Sequence, residues 1–168
     1  MNCCGVDPGL GGGIALNCDG TLYVWKMPET DDDLVNLFED IQISYGIDFC
    51  VLEEVSARPT YVGGPGGSSV PVQGVVQTWN FAENYGLIRG VLAAMKIKRQ
   101  RVRPQAWQKS LGIPPRRKDP KETQTEWKNR LKSKAQELFP GVKITLAVSD
   151  AALISEVARR MMVGEAKR

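Results

Sequence analysis

Short apolar runs open the chain: NCCGVD at 2–7, GGIALN at 12–17 and TLYVWKM at 21–27. They are parted by Asp7-Pro8-Gly9 with three consecutive glycines, Gly11 to Gly13, and then by Asp19-Gly20. Runs this short, bounded by Pro, Gly and Asp, predict three strands, with Asp19-Gly20 as a hairpin turn. The period then changes. Leu34, Leu37, Phe38 and Ile41 lie at helical spacing behind Thr30, a good N-cap, and Asp31, Asp32 and Asp33 suit the positive end of a helix. IDFCVLEEV at 47–55 is almost continuously apolar, which predicts a strand buried on both faces, as in the parallel part of an α/β sheet.

Residues 56–74, SARPTYVGGPGGSSVPVQG, are rich in glycine and proline and show neither period, so they predict a long, flexible loop. A helix follows to about Met95, with Phe81, Tyr85, Ile88, Leu92 and Met95 in one stripe. Gly86 and Gly90 sit one turn apart beside that stripe and permit close approach of the sheet or of a second subunit, core packing being the default. A fifth strand at about 97–103 leads to a short helix opened by Pro104. A basic loop at 114–121 and a basic helix ending at Pro140-Gly141 come next. The last helix, from about Ser149 to Met162, carries Asp150, Ile154, Val157 and Met161 on one face, so that an acid heads an apolar stripe.

The 168 residues suffice for one domain with a sizeable core, taken here as 1–168. No apolar run approaches the roughly 20 residues of a membrane span. Residues 1–16 lack the basic start and cleavage site of a signal peptide. The four cysteines, Cys3, Cys4, Cys18 and Cys50, form no CxxC pair, and the chain has no histidine. That combination argues against a zinc site and excludes Ser/His and Cys/His nucleophiles. It fits buried thiols in a reducing cytosol, so a cytoplasmic protein is expected, an organelle stroma or matrix being left open. Any chemistry must run on carboxylates, lysines, hydroxyls or metal. The net charge of +3 hides an asymmetry: Lys96 to Lys143 holds 15 Lys and Arg against 4 Asp and Glu, and the remainder holds 7 against 15. With Trp107 and Trp127 inside it, the basic stretch predicts a nucleic-acid surface.

Three acids stand at the edges of apolar elements: Asp7 after the first strand, Glu53 or Glu54 after the fourth, and Asp150 at the head of the last helix. Each alone would be read as a turn former or a complement to a helix dipole. If the first and fourth strands are neighbours and the last helix crosses their ends, the three converge. Converging carboxylates repel unless a cation lies between them, and an oxygen-only set suits Mg²⁺ or Mn²⁺. Two such ions about 3.5 to 4 Å apart serve phosphodiester cleavage.

GVDPG, VLEEV, YGLIRGVLAA, VRPQAWQKSLG, ELFPG and SDAALISEVARR, in that order over nearly the whole chain, resemble Holliday junction resolvases of the RuvC type in the RNase H-like superfamily, the compact bacteriophage members above all. The resemblance implies an α/β, RNase H-like fold: a five-stranded mixed sheet in order 3-2-1-4-5 with helices on both faces. It implies a homodimer that nicks two strands of a four-way DNA junction with two Mg²⁺ or Mn²⁺ ions per site, without a small-molecule cofactor or a membrane. Asp7, Glu53 and Asp150 match three of the family's metal-binding acids, and Lys109 a catalytic lysine. Lys109 with Lys118 or Lys121 resembles the residues that hold phosphates, and Arg116, Arg117 and Lys128 extend that basic surface. The 56–74 segment occupies the place of the junction-probing loop, where Arg58 would contact DNA and Tyr61, its one aromatic residue, would act as a stacking wedge. One departure stands out. The family carries a further acid three or four residues before the last one, and here position 147 is Ala147 and position 146 is leucine. Either the chain is a diverged or inactive form, or Ala147 is an Asp→Ala substitution that traps metal or DNA; the retained acids and basic stretch favour the second. Such a chain should bind junctions and cleave them poorly. The alternatives are another RNase H-like nuclease, acting on flap or branched DNA or on RNA–DNA hybrids, and a non-catalytic junction-binding protein. An actin-like ATPase, whose first strand also ends in Asp and Gly, needs two such domains and does not fit in this length.

Overall fold

The computed structural model describes residues 1–55, 61–63, 69–71, 75–118 and 120–164; Arg58 lies outside them. Strands β1 (Asn2–Asp7), β2 (Gly13–Cys18) and β3 (Thr21–Lys26) form an antiparallel meander. Its second turn places Asp19 (φ 47°) and Gly20 (φ 99°) both at positive φ. Two left-handed residues in succession give the turn whose twist matches the flanking strands, and Asp-Gly tolerates them best. Helix α1 (Asp31–Ser44) starts at Thr30, whose hydroxyl accepts the Asp33 N–H. Strand β4 (Phe49–Glu53) then enters parallel to β1 and is flanked on its other side by β7 (Arg99–Val102), also parallel. The sheet order is β3-β2-β1-β4-β7. This is the expected five-stranded mixed sheet in order 3-2-1-4-5, with β7 as its fifth strand.

Strand alternation sends Cys4, Val6, Ile14, Leu16, Cys50 and Leu52 to a core shared with α1 and α2 (Val75–Ala94). It sends Cys3, Ala15 and Val51 to a core on the opposite face, shared with α3 (Pro104–Ser110), α4 (Gln124–Leu138) and α5 (Ser149–Met162). No helix among the described residues is long and apolar enough to cross a membrane.

Four expectations need correction. The 56–74 stretch is not wholly loop: β5 (Tyr61–Gly63) and β6 (Ser69–Pro71) pair antiparallel, with Tyr61 opposite Pro71 and Val62 opposite Val70. The two valines are β-branched residues in register, a local signal that surrounding Gly and Pro obscured. Gly86 and Gly90 do not touch the sheet, since an added Cβ at either would meet nothing within 4 Å. Trp107 is a core residue, 1% exposed, and Trp127 is half-buried with the Arg130 guanidinium 4.4 Å from its ring centre. Neither indole lies open for base stacking. Finally, α5 has no solvent face over its first ten residues, because Ser149 to Ala158 are all buried between the sheet and α4.

Candidate functional site

Register brings the first two acids together. Val6 of β1 lies opposite Leu52 of β4, so the next residues, Asp7 and Glu53, leave the ends of adjacent parallel strands. Their side chains share the face of Gly5 and Val51, the face that α5 covers. Gly5 is what lets the helix come so close, since a Cβ there would overlap the Ser155 nitrogen and the Ala151 carbonyl oxygen. The first turn of α5 therefore lands on the strand ends and delivers Asp150, whose Oδ1 accepts the Ser149 hydroxyl at 3.0 Å. On the other side, a Cβ at Gly12 would stand 2.7 Å from Cγ of Asp7, so glycine leaves room for the carboxylate. The Gly9 N–H donates to Asp7 Oδ1 at 3.1 Å and orients it.

The three acids are electrostatically coupled. Burial, then the charges of Asp7 and Asp150, push the Glu53 carboxyl up to about 8, against a weaker opposing hydrogen bond from Trp107. That bond, from indole Nε1 to Glu53 Oε1, is 3.4 Å long. Burial and the charge of Asp150 also hold Asp7 above the usual carboxylate range. One cation is already present: Lys128 Nζ lies 2.9 Å from Asp150 Oδ2. Burial pulls the Lys128 ammonium down, but Asp150, Asp7 and Glu53 together leave it raised. Lys128, expected on the DNA surface, thus belongs to the carboxylate centre. Its signal was legible, since Lys128 heads the stripe Leu131 and Ala135 on the buried face of α4 just as Asp150 heads its own.

The other candidates divide. Glu54 turns away and pairs with Arg103 at 3.6 Å, as opposite-face alternation requires. Lys109, in the last turn of α3, and Lys118 and Lys121 in the basic loop are exposed. Arg116 and Arg117 are partly engaged within the loop, Arg116 Nε donating to the Glu122 carbonyl at 2.8 Å and Arg117 pairing with the Glu122 carboxylate at 3.7 Å. Sequence reasoning missed Glu122. It is buried, held by Arg130 at 2.9 Å and by the Arg117 N–H at 3.0 Å, and it ties the basic loop to α4. Tyr61 lies on β5, and Arg58 falls outside the described residues.

As a donor set, three carboxylates suit a hard divalent cation. Among the described residues, however, no three acidic, cysteine or histidine side chains are close enough to enclose one ion as they stand. Ala147 adds no donor, although its carbonyl oxygen lies 3.2 Å from where a Cβ of Gly13 would be, and Gly13 is the register partner of Asp7.

The coupling predicts a pH effect in chelator. Below about pH 4.5 the folded and unfolded chains both keep the Glu53 proton. Between there and about pH 8 only the unfolded chain releases it, so stability falls with rising pH; beyond that the cost is constant. Glu53→Gln, neutral in both states, should therefore melt with the parent at pH 4.5 and roughly 10 °C above it at pH 8.5. Equal melting temperatures at both pH values would refute the coupling.

No protein-family model matches the sequence. No curated protein matches it either. Among solved structures, Thermus thermophilus RuvC in complex with a Holliday junction substrate is similar with a TM-score of 0.61 and 11% identity, over 98% of this chain and 97% of that one. A further structure of Thermus thermophilus RuvC gives a TM-score of 0.57 and 12% identity, over 98% of each chain. At such identity the likeness is one of fold.

Proposed function

We propose that the chain is a structure-selective endodeoxyribonuclease of the RuvC type, which resolves four-way DNA junctions by paired nicks and is attenuated by Ala147. The observation that carries this reading is the meeting of Asp7, Glu53 and Asp150 from β1, β4 and α5 at one end of the sheet, where burial first and the charges of the other two acids second raise Glu53 to about 8. The RuvC-like fold adds to it, since the Thermus protein of that fold is seen with a Holliday junction. Asp7, Glu53 and Asp150 would hold Mg²⁺ or Mn²⁺, which when bound activates water and neutralises the charge on the leaving oxygen. Lys128 then serves as the resident counter-charge paired with Asp150 before the ion arrives. Lys109, Lys118 and Lys121 are exposed cations suited to the DNA backbone, with Arg116 and Arg117 beside them. Tyr61 and Arg58 remain the candidates for contact at the junction centre.

Dimerisation is part of the proposal. Ala82, Gly86 and Gly90 form an exposed stripe of small residues at four-residue spacing along α2, near the exposed Val76 and Trp79. A second copy of α2 could approach closely there and set two carboxylate centres on one junction. A panel of four-way, three-way, RNA–DNA hybrid and linear duplex substrates, each with Mg²⁺ and Mn²⁺, tests the reading. Paired symmetric nicks confined to the four-way form are expected, slow in this chain; cleavage of the hybrid would sink it. Lys128 seated on Asp150 and alanine at 147 also favour a second reading, a junction binder without catalysis. Tight, metal-independent junction binding with no nicking even after Ala147→Asp would select that one.

A further inference from the structure

We infer that a second DNA contact lies outside the carboxylate centre, in a basic groove between α2 and the edge strand β7, and that it takes the phosphate backbone of a junction arm; the inference rests on the proposed function. The groove has a volume of about 380 Å³ and is lined by Leu52, Arg89, Ile97, Lys98, Arg99 and Arg101. Four of these six are cations and none is an acid. Arg99 and Arg101 lie opposite Cys50 and Leu52 in the β4–β7 register. They therefore point to the α1/α2 face of the sheet, opposite to the acids.

These cations combine convergence on one groove with the absence of internal neutralisation, which they share with Lys109, Lys118 and Lys121 of the basic stretch. Elsewhere in the basic stretch, Arg117 and Arg130 pair with Glu122, Lys128 with Asp150, Lys134 with Glu137 and Arg103 with Glu54. Among the described residues no carboxylate pairs with Arg89, Lys98, Arg99 or Arg101, and all four are exposed. Two of the guanidinium groups are pre-placed: Arg99 Nη1 donates at 3.3 Å to the carbonyls of Leu92 and Ile97, and Arg89 lies 5.7 Å over the Tyr85 ring. Charges on an edge strand discourage sheet-to-sheet pairing. That role does not call for Arg89 to converge on them from α2. A concave run of like charges, fixed in part and unpaired, suits a polyanion.

Position supports the assignment to an arm. Val102, the residue after Arg101, is the register partner of Glu53, so the groove begins beside the strand that carries the second acid and runs back from it round the sheet edge. Duplex leaving the carboxylate centre past β7 would meet it, and duplex cut short would not.

The test uses Lys98→Ala/Arg101→Ala, which spares Arg99 because it closes the end of α2. Affinity in EDTA is measured against salt for a four-way junction with arms of two helical turns and for one with arms of a single turn. On the long arms the variant should bind about tenfold more weakly, with a log–log salt slope shallower by about two. On the short arms it should match the parent. Unchanged affinity and slope on long arms would overturn the groove, as would equal losses on both. A parent chain that binds junctions no better than linear duplex would instead overturn the proposed function, and the groove is then judged by the same slope on the linear duplex.

Discussion

Ala147→Asp is expected to raise Mg²⁺-dependent nicking of a four-way junction by at least about a hundredfold, since loss of even an outer-shell partner of a metal site costs about 10- to 100-fold and a direct ligand should cost no less. The argument is positional. Residue 147 precedes Asp150 by three, and its carbonyl oxygen lies beside Gly13, the register partner of Asp7, so an acid there would stand close to the strand end and the helix start that carry two of the three existing carboxylates. Those three do not enclose an ion by themselves. A fourth acid also gives a readout independent of turnover. In chelator it adds like charge to a centre in which Glu53 is already pushed up to about 8, and should lower the melting temperature by a few degrees. Added Mn²⁺ should reverse that loss in the variant and raise the parent less. No gain in nicking and no metal-dependent gain in melting would together reject position 147 as a ligand site.

The parts of this architecture written in local sequence were the easiest to read. Asp19-Gly20 announced its hairpin, Thr30 with three aspartates announced α1, and the unbroken apolar run before Glu53 announced a strand with parallel neighbours on both sides. The acids were legible for the same reason, because each ends a buried element and polar residues in such places are conspicuous. Tertiary partnership was not legible. Trp107 and Trp127 looked like a stacking surface amid Lys and Arg, yet one is core and hydrogen-bonded to Glu53 while the other stacks under Arg130. Lys128 looked like one basic residue among fifteen, and its place at the head of the Leu131 and Ala135 stripe hinted at burial without naming Asp150 as its partner. Glu122 looked like a minor acid in a basic loop, and its burial depends on arginines 5 and 8 residues away. Charge counts treat such residues as a solvated face. Only the fold decides which cations are consumed internally and which, such as those lining the β7 groove, are left for a partner.

Gly5→Ala is expected to destabilise the protein by roughly 3 kcal/mol or more, lowering the melting temperature by about 6 to 12 °C. Most overpacked sites relax by turning a side chain. Here the obstacles are the Ser155 nitrogen and the Ala151 carbonyl oxygen, both main-chain atoms of α5, so the methyl group fits only if the helix lifts from β1. That helix is buried along its first ten residues and spans β1, β2 and β4, so lifting it disturbs the whole core of that face. Gly11→Ala is the control: a Cβ there would meet nothing within 4 Å, and its melt should stay within about 0.5 kcal/mol of the parent. Function should suffer beyond stability, because β1 carries Asp7 and α5 carries Asp150, and a lifted helix draws the two apart. In an Ala147→Asp background well below its melting temperature, Gly5→Ala should therefore depress junction nicking while leaving junction binding near the parent value. An unchanged melt would mean that α5 does not seat on Gly5. A lowered melt with full nicking activity would mean that the two acids need not be held together by that contact.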